Sequence, residues 1–295
     1  MRKTPTEFAC VELCPNQIYE LSDSVRSALN GEMARLPTGD VSEHETRYPT
    51  DTASMRAFLE VFFARHLFQV QNSLTDYAVS ADFHHAIRSG PVCILDIGSG
   101  PAVASQALID IINRMIGGAG SGAAQYPGLH HLSHVLNDTS GVCLVTGQHM
   151  LTACLESSDQ STSPPCRPQV FTLSTAFPGN LHQIRHLASF LGGFDLVVLS
   201  YVLHPLIEDN HLQDVVRGVN ALERFCKPRG RMLIIQDKFQ EPLIRRLARM
   251  IGVEYREQML TQEIYPPRGS NGTCTYTYYD CLYAPRVGHS PNRGL

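Results

Sequence analysis

The stretch from Val92 to Ile112, VCILDIGSGPAVASQALIDII, sets an acid and two glycines where a backbone can meet a ligand. A run of apolar β-formers stops at Asp96, passes Gly98, Ser99 and Gly100, and then takes on helical spacing. Glycine directly after a strand lets the chain turn tightly and lets a ligand approach the main chain, and the helix beyond it offers unpaired N–H groups. Several nucleotide-binding turns share this look. A Walker loop is excluded, because no Lys-Ser/Thr follows at the needed spacing. The dinucleotide fingerprint G-x-G-x-x-G/A is met only loosely, with Val103 at its third small position. Asp96 discriminates further: its charge repels a phosphate and favours a cationic ligand.

Such a turn needs a sheet to hold it. From Val92 onward the apolar runs VCILDI, HVLND, QVFTL, FDLVVLS and RMLIIQ alternate with helical patterns, among them Ala102–Ile116 and Leu212–Phe225. That alternation predicts βαβ units and a parallel sheet. The late segment TCTYTYYDCLYA alternates Tyr with smaller residues and reads as an antiparallel strand. Two connections read as insertions: the small-residue loop Gly117–Gly128 and the Ser/Pro-rich Ser157–Pro168. Residues 1–50 are polar and irregular, with Pro5, Pro15, Pro37 and Pro49 breaking any long helix. Beyond them Met55, Phe58, Leu59, Phe62, Phe63, Leu67, Val70 and Leu74 predict one long amphipathic helix over Met55–Tyr77, capped by Thr52 or Ser54.

With 295 residues and 43% hydrophobic content, the chain can bury a sizeable core. Its formal charge of −4 gives no general case for a polyanion-binding protein. The charge is uneven, however: Arg217–Arg256 carries ten Arg/Lys against four Asp/Glu. Such a stretch suits either a solvated helix face or an RNA contact. The nine cysteines include no CxxC pair and read as reduced, structural thiols, with no metal site implied. The absence of a signal-like segment and of a span of about 20 apolar residues leads to the expectation of a cytoplasmic protein without membrane contact.

Taken in order, these motifs resemble those of the class I S-adenosylmethionine-dependent methyltransferases over Val92 to Ala284, about two thirds of the chain. LDIGSGPA is similar to the family's first motif, LNDTSGVCL to its second, FDLVVLSYVLHPL to its fourth-strand motif, and LERFCKPRGRMLIIQD to the turn before its fifth strand. The resemblance implies a Rossmann-like, doubly wound, mostly parallel α/β sheet with helices on both faces. It also implies S-adenosyl-L-methionine as cofactor. Asp96 would face the methionyl ammonium, and Gly98, Ser99 and Gly100 would keep the loop clear of the ligand. Asp138, followed by Thr139, would accept both ribose hydroxyls. About 42 residues separate it from Asp96, where about 20 are usual between such strand ends; the Gly117–Gly128 insertion accounts for much of the excess. Ser174 and Thr175 would lie near adenine, in place of the acid frequent in relatives. Ser200, Tyr201 and His204 fall where methionine and acceptor meet. Tyr201 and His204 would share one face if a helical turn begins there, with His204 either a general base or a structural residue of its turn.

Residues 1–90 are expected to form a helical appendage acting as a lid, 91–286 the cofactor-binding domain and 287–295 a flexible tail. Arg47 and Tyr48 of the TRYPTD segment could reach the cofactor carboxylate and ring. Phe58, Phe62 and Phe63, and likewise Tyr276, Tyr278 and Tyr279, belong either to an acceptor pocket or to the core. The function implied is methyl transfer to an oxygen or nitrogen of a small molecule. The Asn-Pro-Pro-Tyr motif of base-amine methylating relatives is replaced by Ser200-Tyr201-Val202-Leu203. Alternatives are an RNA methyltransferase, a catalytically silent methyltransferase-like scaffold and, less well matched, a nicotinamide-dependent oxidoreductase.

Overall fold

The computed structural model describes residues 18–19, 21–37, 48–118, 131–158, 169–209, 212–263 and 273–285. Its strands are β1 (Ile18–Tyr19), β2 (Val92–Ile97), β3 (Leu132–Asn137), β4 (Gln169–Leu173), β5 (Phe194–Ser200), β6 (Cys226–Asp237), β7 (Arg256–Glu263) and β8 (Thr273–Tyr283). They form one sheet in the order β1-β7-β8-β6-β5-β2-β3-β4. Every neighbouring pair is parallel except the two involving β8. The expected late antiparallel strand is therefore β8, and it lies inside the sheet.

The helices are α1 (Asp23–Arg35), α2 (Thr52–Phe58), α3 (Ala64–Ala78), α4 (Ala81–Ser89), α5 (Val103–Gly118), α6 (Gly141–Ser158), α7 (Leu181–Leu191), α8 (Leu203–Asp209), α9 (Leu212–Glu223) and α10 (Glu241–Ile251). Strand alternation explains why β2 is buried throughout and, Asp96 apart, apolar: Val92 and Ile94 enter a core shared with α1, α3, α5 and α6, whereas Cys93, Leu95 and Ile97 enter one shared with α7, α9 and α10. Helices thus cover both faces, giving the doubly wound α/β architecture.

The N-terminal region departs from the sequence reading in three ways. The stretch expected to be irregular holds α1, which fits between Pro15 and Pro37 and starts with the Ser22 hydroxyl accepting from the Val25 N–H. The long helix is capped by Asp51, one residue earlier than expected; Ser54 completes a reciprocal capping box with it. That helix is also interrupted by a π-helical turn, Leu59–Phe63, between α2 and α3. The segments 119–130 and 159–168, at the centre of the two expected insertions, and the tail from 286 onward lie outside the described residues. Among the described residues no helix is long and apolar enough to cross a membrane.

Six of the ten cations in the basic stretch stand in ion pairs. Lys227 meets Asp195, Arg229 and Arg231 meet Asp82, and Arg256 meets Asp76 and Asp280. Arg217 pairs with Asp214 and Arg245 with Glu241. Apart from Glu241, these acids lie outside the stretch, at Asp76, Asp82, Asp195, Asp214 and Asp280, and offset much of what looks basic along the chain.

Candidate functional site

The order of strands reverses between β5 and β2: from β2 the chain winds outward through β3 and β4, and it then returns to β5 and β6 on the other side. The crevice at the carboxyl ends of the strands flanking such a switch point is where open α/β sheets receive ligands. Asp96 near the end of β2 and Ser200 at the end of β5 flank it here.

Asp96 is wholly buried. Its Oδ2 accepts the Ser105 N–H at 3.4 Å, and its Oδ1 has no hydrogen-bond partner among the described residues. Burial pushes the carboxyl up to about 7; the Ser105 N–H opposes the shift and the neighbouring Asp138 adds to it. A buried carboxylate oxygen with no donor is costly, and it suits an N–H or ammonium from a ligand.

The glycine turn is built from left-handed backbone at Gly98 (φ 66°), Gly100 (φ 50°) and Ala102 (φ 60°). The Gly98 and Ser99 N–H groups both donate to the Asn137 carbonyl, at 2.8 and 3.0 Å, tying the turn to the end of β3. A Cβ on Gly98 would lie 2.6 Å from Val202, so at this position glycine admits a side chain from the loop after β5. Gly100 is different: the nearest atom to a Cβ there would be Phe58 Cζ, at 3.9 Å. That is ordinary van der Waals distance, and Gly100 itself is buried.

Asp138, remote from Asp96 in sequence, lies against this turn. Its Oδ2 accepts the Gly100 N–H at 2.9 Å and the Tyr48 phenol, and its Oδ1 accepts the Ser140 N–H at 2.8 Å. Burial raises its pKa, while the Tyr48, Ser140, Gly100 and Thr139 donors oppose that shift. Burial of the Tyr48 hydroxyl beside this carboxylate holds the phenol protonated, although its side chain is half exposed (49%). Ser99 is buried, with its Oγ donating to the Gly100 carbonyl at 3.4 Å, and Thr139 is exposed. Ser174 and Thr175 are exposed at the end of β4. The Asn137 amide draws that end in, donating to the Leu173 and Thr175 carbonyls at 2.9 and 2.8 Å, while the Thr175 hydroxyl donates to Gln183 at 2.8 Å. Arg47 lies outside the described residues.

Across the crevice, Ser200 is buried and Tyr201 has a left-handed backbone (φ 59°). Helix α8 starts only at Leu203, so Tyr201 and His204 do not share a helical face; the His204 side chain lies outside the described part of the structure. A bulky residue in the left-handed region is strained by about 1–3 kcal/mol, and packing must hold it there. The holder is α3: the Tyr201 ring stacks on His66 at 3.8 Å and 13°, and its phenol donates to Gln69 Oε1.

His66 and Gln69 escaped the sequence reading, since a polar pair on an apolar helix carries no spacing signature. Of the three phenylalanines singled out, Phe63 is core, whereas Phe58 and Phe62 stay half buried and approach His66. Tyr278 is core as well, bonded to Asn72, Ser73 and the Gln69 carbonyl, and Tyr279 packs on Tyr255. Tyr276 lies under the Arg65 guanidinium, which pairs with Asp237 at the end of β6.

No family model and no curated protein matches this sequence. Among solved structures, the chain is similar to a SAM-dependent methyltransferase from Agrobacterium tumefaciens (11% identity, TM-score 0.43), covering 77% of this chain. The chain spans 64% of the length of that protein. It is also similar to a precorrin-6y C5,15-methyltransferase from Geobacter metallireducens (11% identity, 85% of this chain and 93% of the other, TM-score 0.42). A third is a SAM-dependent methyltransferase from Leishmania major (12% identity, 88% and 83%, TM-score 0.40).

Proposed function

We propose that this chain transfers a methyl group from S-adenosyl-L-methionine to an oxygen or nitrogen nucleophile of a small molecule. The observation that carries the reading is the buried Asp96 carboxylate with an orphan oxygen, set at the switch point beside a left-handed glycine turn and a second acid. The residues fit the cofactor. Asp96 Oδ1 would take the ammonium, Gly100 would meet the ligand with backbone alone, and Asp138 offers two carboxylate oxygens to a vicinal diol. Ser99, Thr139 and Tyr48 would border the ribose side, Ser174 and Thr175 the base, and Ser200 and Tyr201 the methionine end. Arg47 and His204 keep the roles that the sequence implies for them, a carboxylate contact and a base.

When bound, the cofactor supplies an electrophilic methyl on a sulfonium. The chain's own work is alignment and exclusion of water: the N-terminal segment, with Tyr48 on Asp138 and Phe58 against Gly100, covers the crevice as a lid over the domain from residue 91. The neutralised basic stretch favours a small acceptor over RNA. The location proposed is cytoplasmic.

A second reading, a silent scaffold, draws on one observation: the Asp138 oxygens are already occupied by Gly100, Ser140 and Tyr48, so the site can satisfy itself without ligand. Calorimetric titration with S-adenosylhomocysteine, paired with a methyl-transfer assay, separates the two, since a silent scaffold with or without bound cofactor transfers no methyl group. Binding that drops at least tenfold, about 1.4 kcal/mol, in Asp96→Ala supports the enzyme. Absent binding in the folded native chain rejects it. Incubation with methyl-labelled cofactor and cell-extract fractions would then identify the acceptor.

A further inference from the structure

One wall beside the glycine turn is aromatic, and the cofactor reading leaves it unused. Phe58, Phe62 and His66 recur at four-residue intervals across the π-helical turn and into α3, with ring centroids 5.7–5.8 Å apart. All three pairs share this spacing, so the rings form a compact triangle, and Tyr201 stacks on its His66 corner. The opposite face of the same helix, through Met55, Leu59, Phe63, Leu67, Val70 and Leu74, is fully buried, whereas Phe58 and Phe62 stay half buried. Phe58 packs on the edge of that core and lies next to Gly100. A π-helical turn replaces the regular register where this cluster begins, a distortion that concentrates at functional sites.

We propose that Phe58, Phe62, His66 and Tyr201 form an acceptor subsite for an uncharged, planar aromatic ring bearing the nucleophile, a deepening that rests on the methyl-transfer reading. Half-buried aromatic side chains in such a cluster offer ring faces and edges to a flat ligand. Nothing in the cluster carries charge: burial, with Arg65 adding to it, pushes His66 down to about 3, so its imidazole is neutral at physiological pH. Arg65 itself is engaged by Asp237 and the Tyr276 ring. The cluster has one polar end. Gln69 is wholly buried, its Oε1 holds the Tyr201 phenol, and its Nε2 has no partner among the described residues. An amide with one function bonded and the other vacant, behind a strained Tyr201, gives the ring's hydroxyl or amine a hydrogen-bonding end to lie toward.

The test uses the full chain saturated with S-adenosylhomocysteine. Saturation-transfer NMR is recorded with 2-naphthol and quinolin-4-ol as free rings, uridine as a nucleobase and ethanolamine as a non-aromatic nucleophile. The expectation is saturation of the ring protons of 2-naphthol and quinolin-4-ol, with none for ethanolamine. Phe62→Leu, which keeps apolar volume and removes the π face, should weaken ring binding about tenfold while leaving S-adenosylhomocysteine affinity within about twofold. Phe190→Leu, on α7 and 70% exposed, should change neither. Uridine saturation that is lost in Phe62→Leu would support the same ring chemistry with a nucleobase as its source. Equal binding in Phe62→Leu and native chain, equal loss in Phe190→Leu, or ethanolamine binding as well as the rings would overturn the subsite. Ring binding that depends on Phe62 in a chain that does not bind S-adenosylhomocysteine would uphold the subsite and reject the methyl-transfer reading.

Discussion

An acid kept in a dry pocket destabilises the fold, and Asp96 does so in a pH-dependent way. Its folded pKa of about 7 lies above the usual 3.8, so between those values the folded chain binds more protons than the unfolded one, and stability falls as pH rises. The penalty is fully present above pH 7. In the ligand-free protein, Asp96→Asn should therefore be more stable than the native chain at pH 8, by on the order of 1–3 kcal/mol, and lose most of that advantage by pH 4. Urea midpoints at the two pH values decide this; an equal gain at both would exclude the carboxyl as its source. For the native chain, S-adenosylhomocysteine affinity should drop about tenfold from pH 8 to pH 6 as Asp96 protonates. Calorimetry showing a flat profile would detach the ligand from Asp96. Asp138→Asn should also weaken binding while the chain stays folded, because an amide replaces only part of the carboxylate's accepting capacity; unchanged affinity would put the ribose contact elsewhere. Asp96 and the glycines were legible in sequence because a strand, an acid and a turn occur within nine residues. His66 and Gln69 were not, because their meaning comes from Tyr201, more than a hundred residues away in sequence.

At the scale of elements, the glycine turn is clamped between two neighbours. Val202 fills the space beside Gly98, and α6 presents Gly147, where a Cβ would stand 2.9 Å from the Ala102 nitrogen and 3.0 Å from the Pro101 carbonyl carbon. Backbone cannot yield as a side-chain tip does. Gly147→Ala should cost about 1–3 kcal/mol and, by pushing the turn, loosen S-adenosylhomocysteine several-fold. Gly31→Ala in α1 meets no atom within 4 Å and should stabilise by about 0.5–1 kcal/mol. Thermal melts of both variants test the contrast; similar shifts would show that α6 does not clamp the turn. The strands β2 to β6 were readable from their apolar runs, which are long and bounded by turn residues. The short α1 was hidden by its proline-flanked setting and mixed polarity. The π-helical turn leaves no mark on a helical pattern that tolerates a one-residue slip.

For the whole molecule, the N-terminal helices share the core that the sheet depends on. Phe63, Leu67, Val70 and Leu74 are fully buried in a cluster with Ile94, Val198, Leu233 and Tyr278. A chain beginning near Ser89 should thus lose cooperative unfolding in a denaturant titration; a cooperative transition would mean that the sheet carries its own core and that the first ninety residues act only as a cover. The division at about residue 90 was visible as a change in sequence pattern. The sharing of the core was not, since periodicity tells which face of a helix is apolar and not what it meets. The outermost strand pair has its own consequence. Ile18 aligns with Thr261 and Tyr19 with Gln262, so β1 finds its neighbour only after the chain between them, from β2 to β6, has been made. Until then α3 lacks Tyr278, and the apolar faces of the early helices have no sheet to cover. Synthesis in chain order therefore delivers the adhesive helix faces before the strands that cover them, an order that leaves apolar surface exposed on the nascent chain until β8 is made.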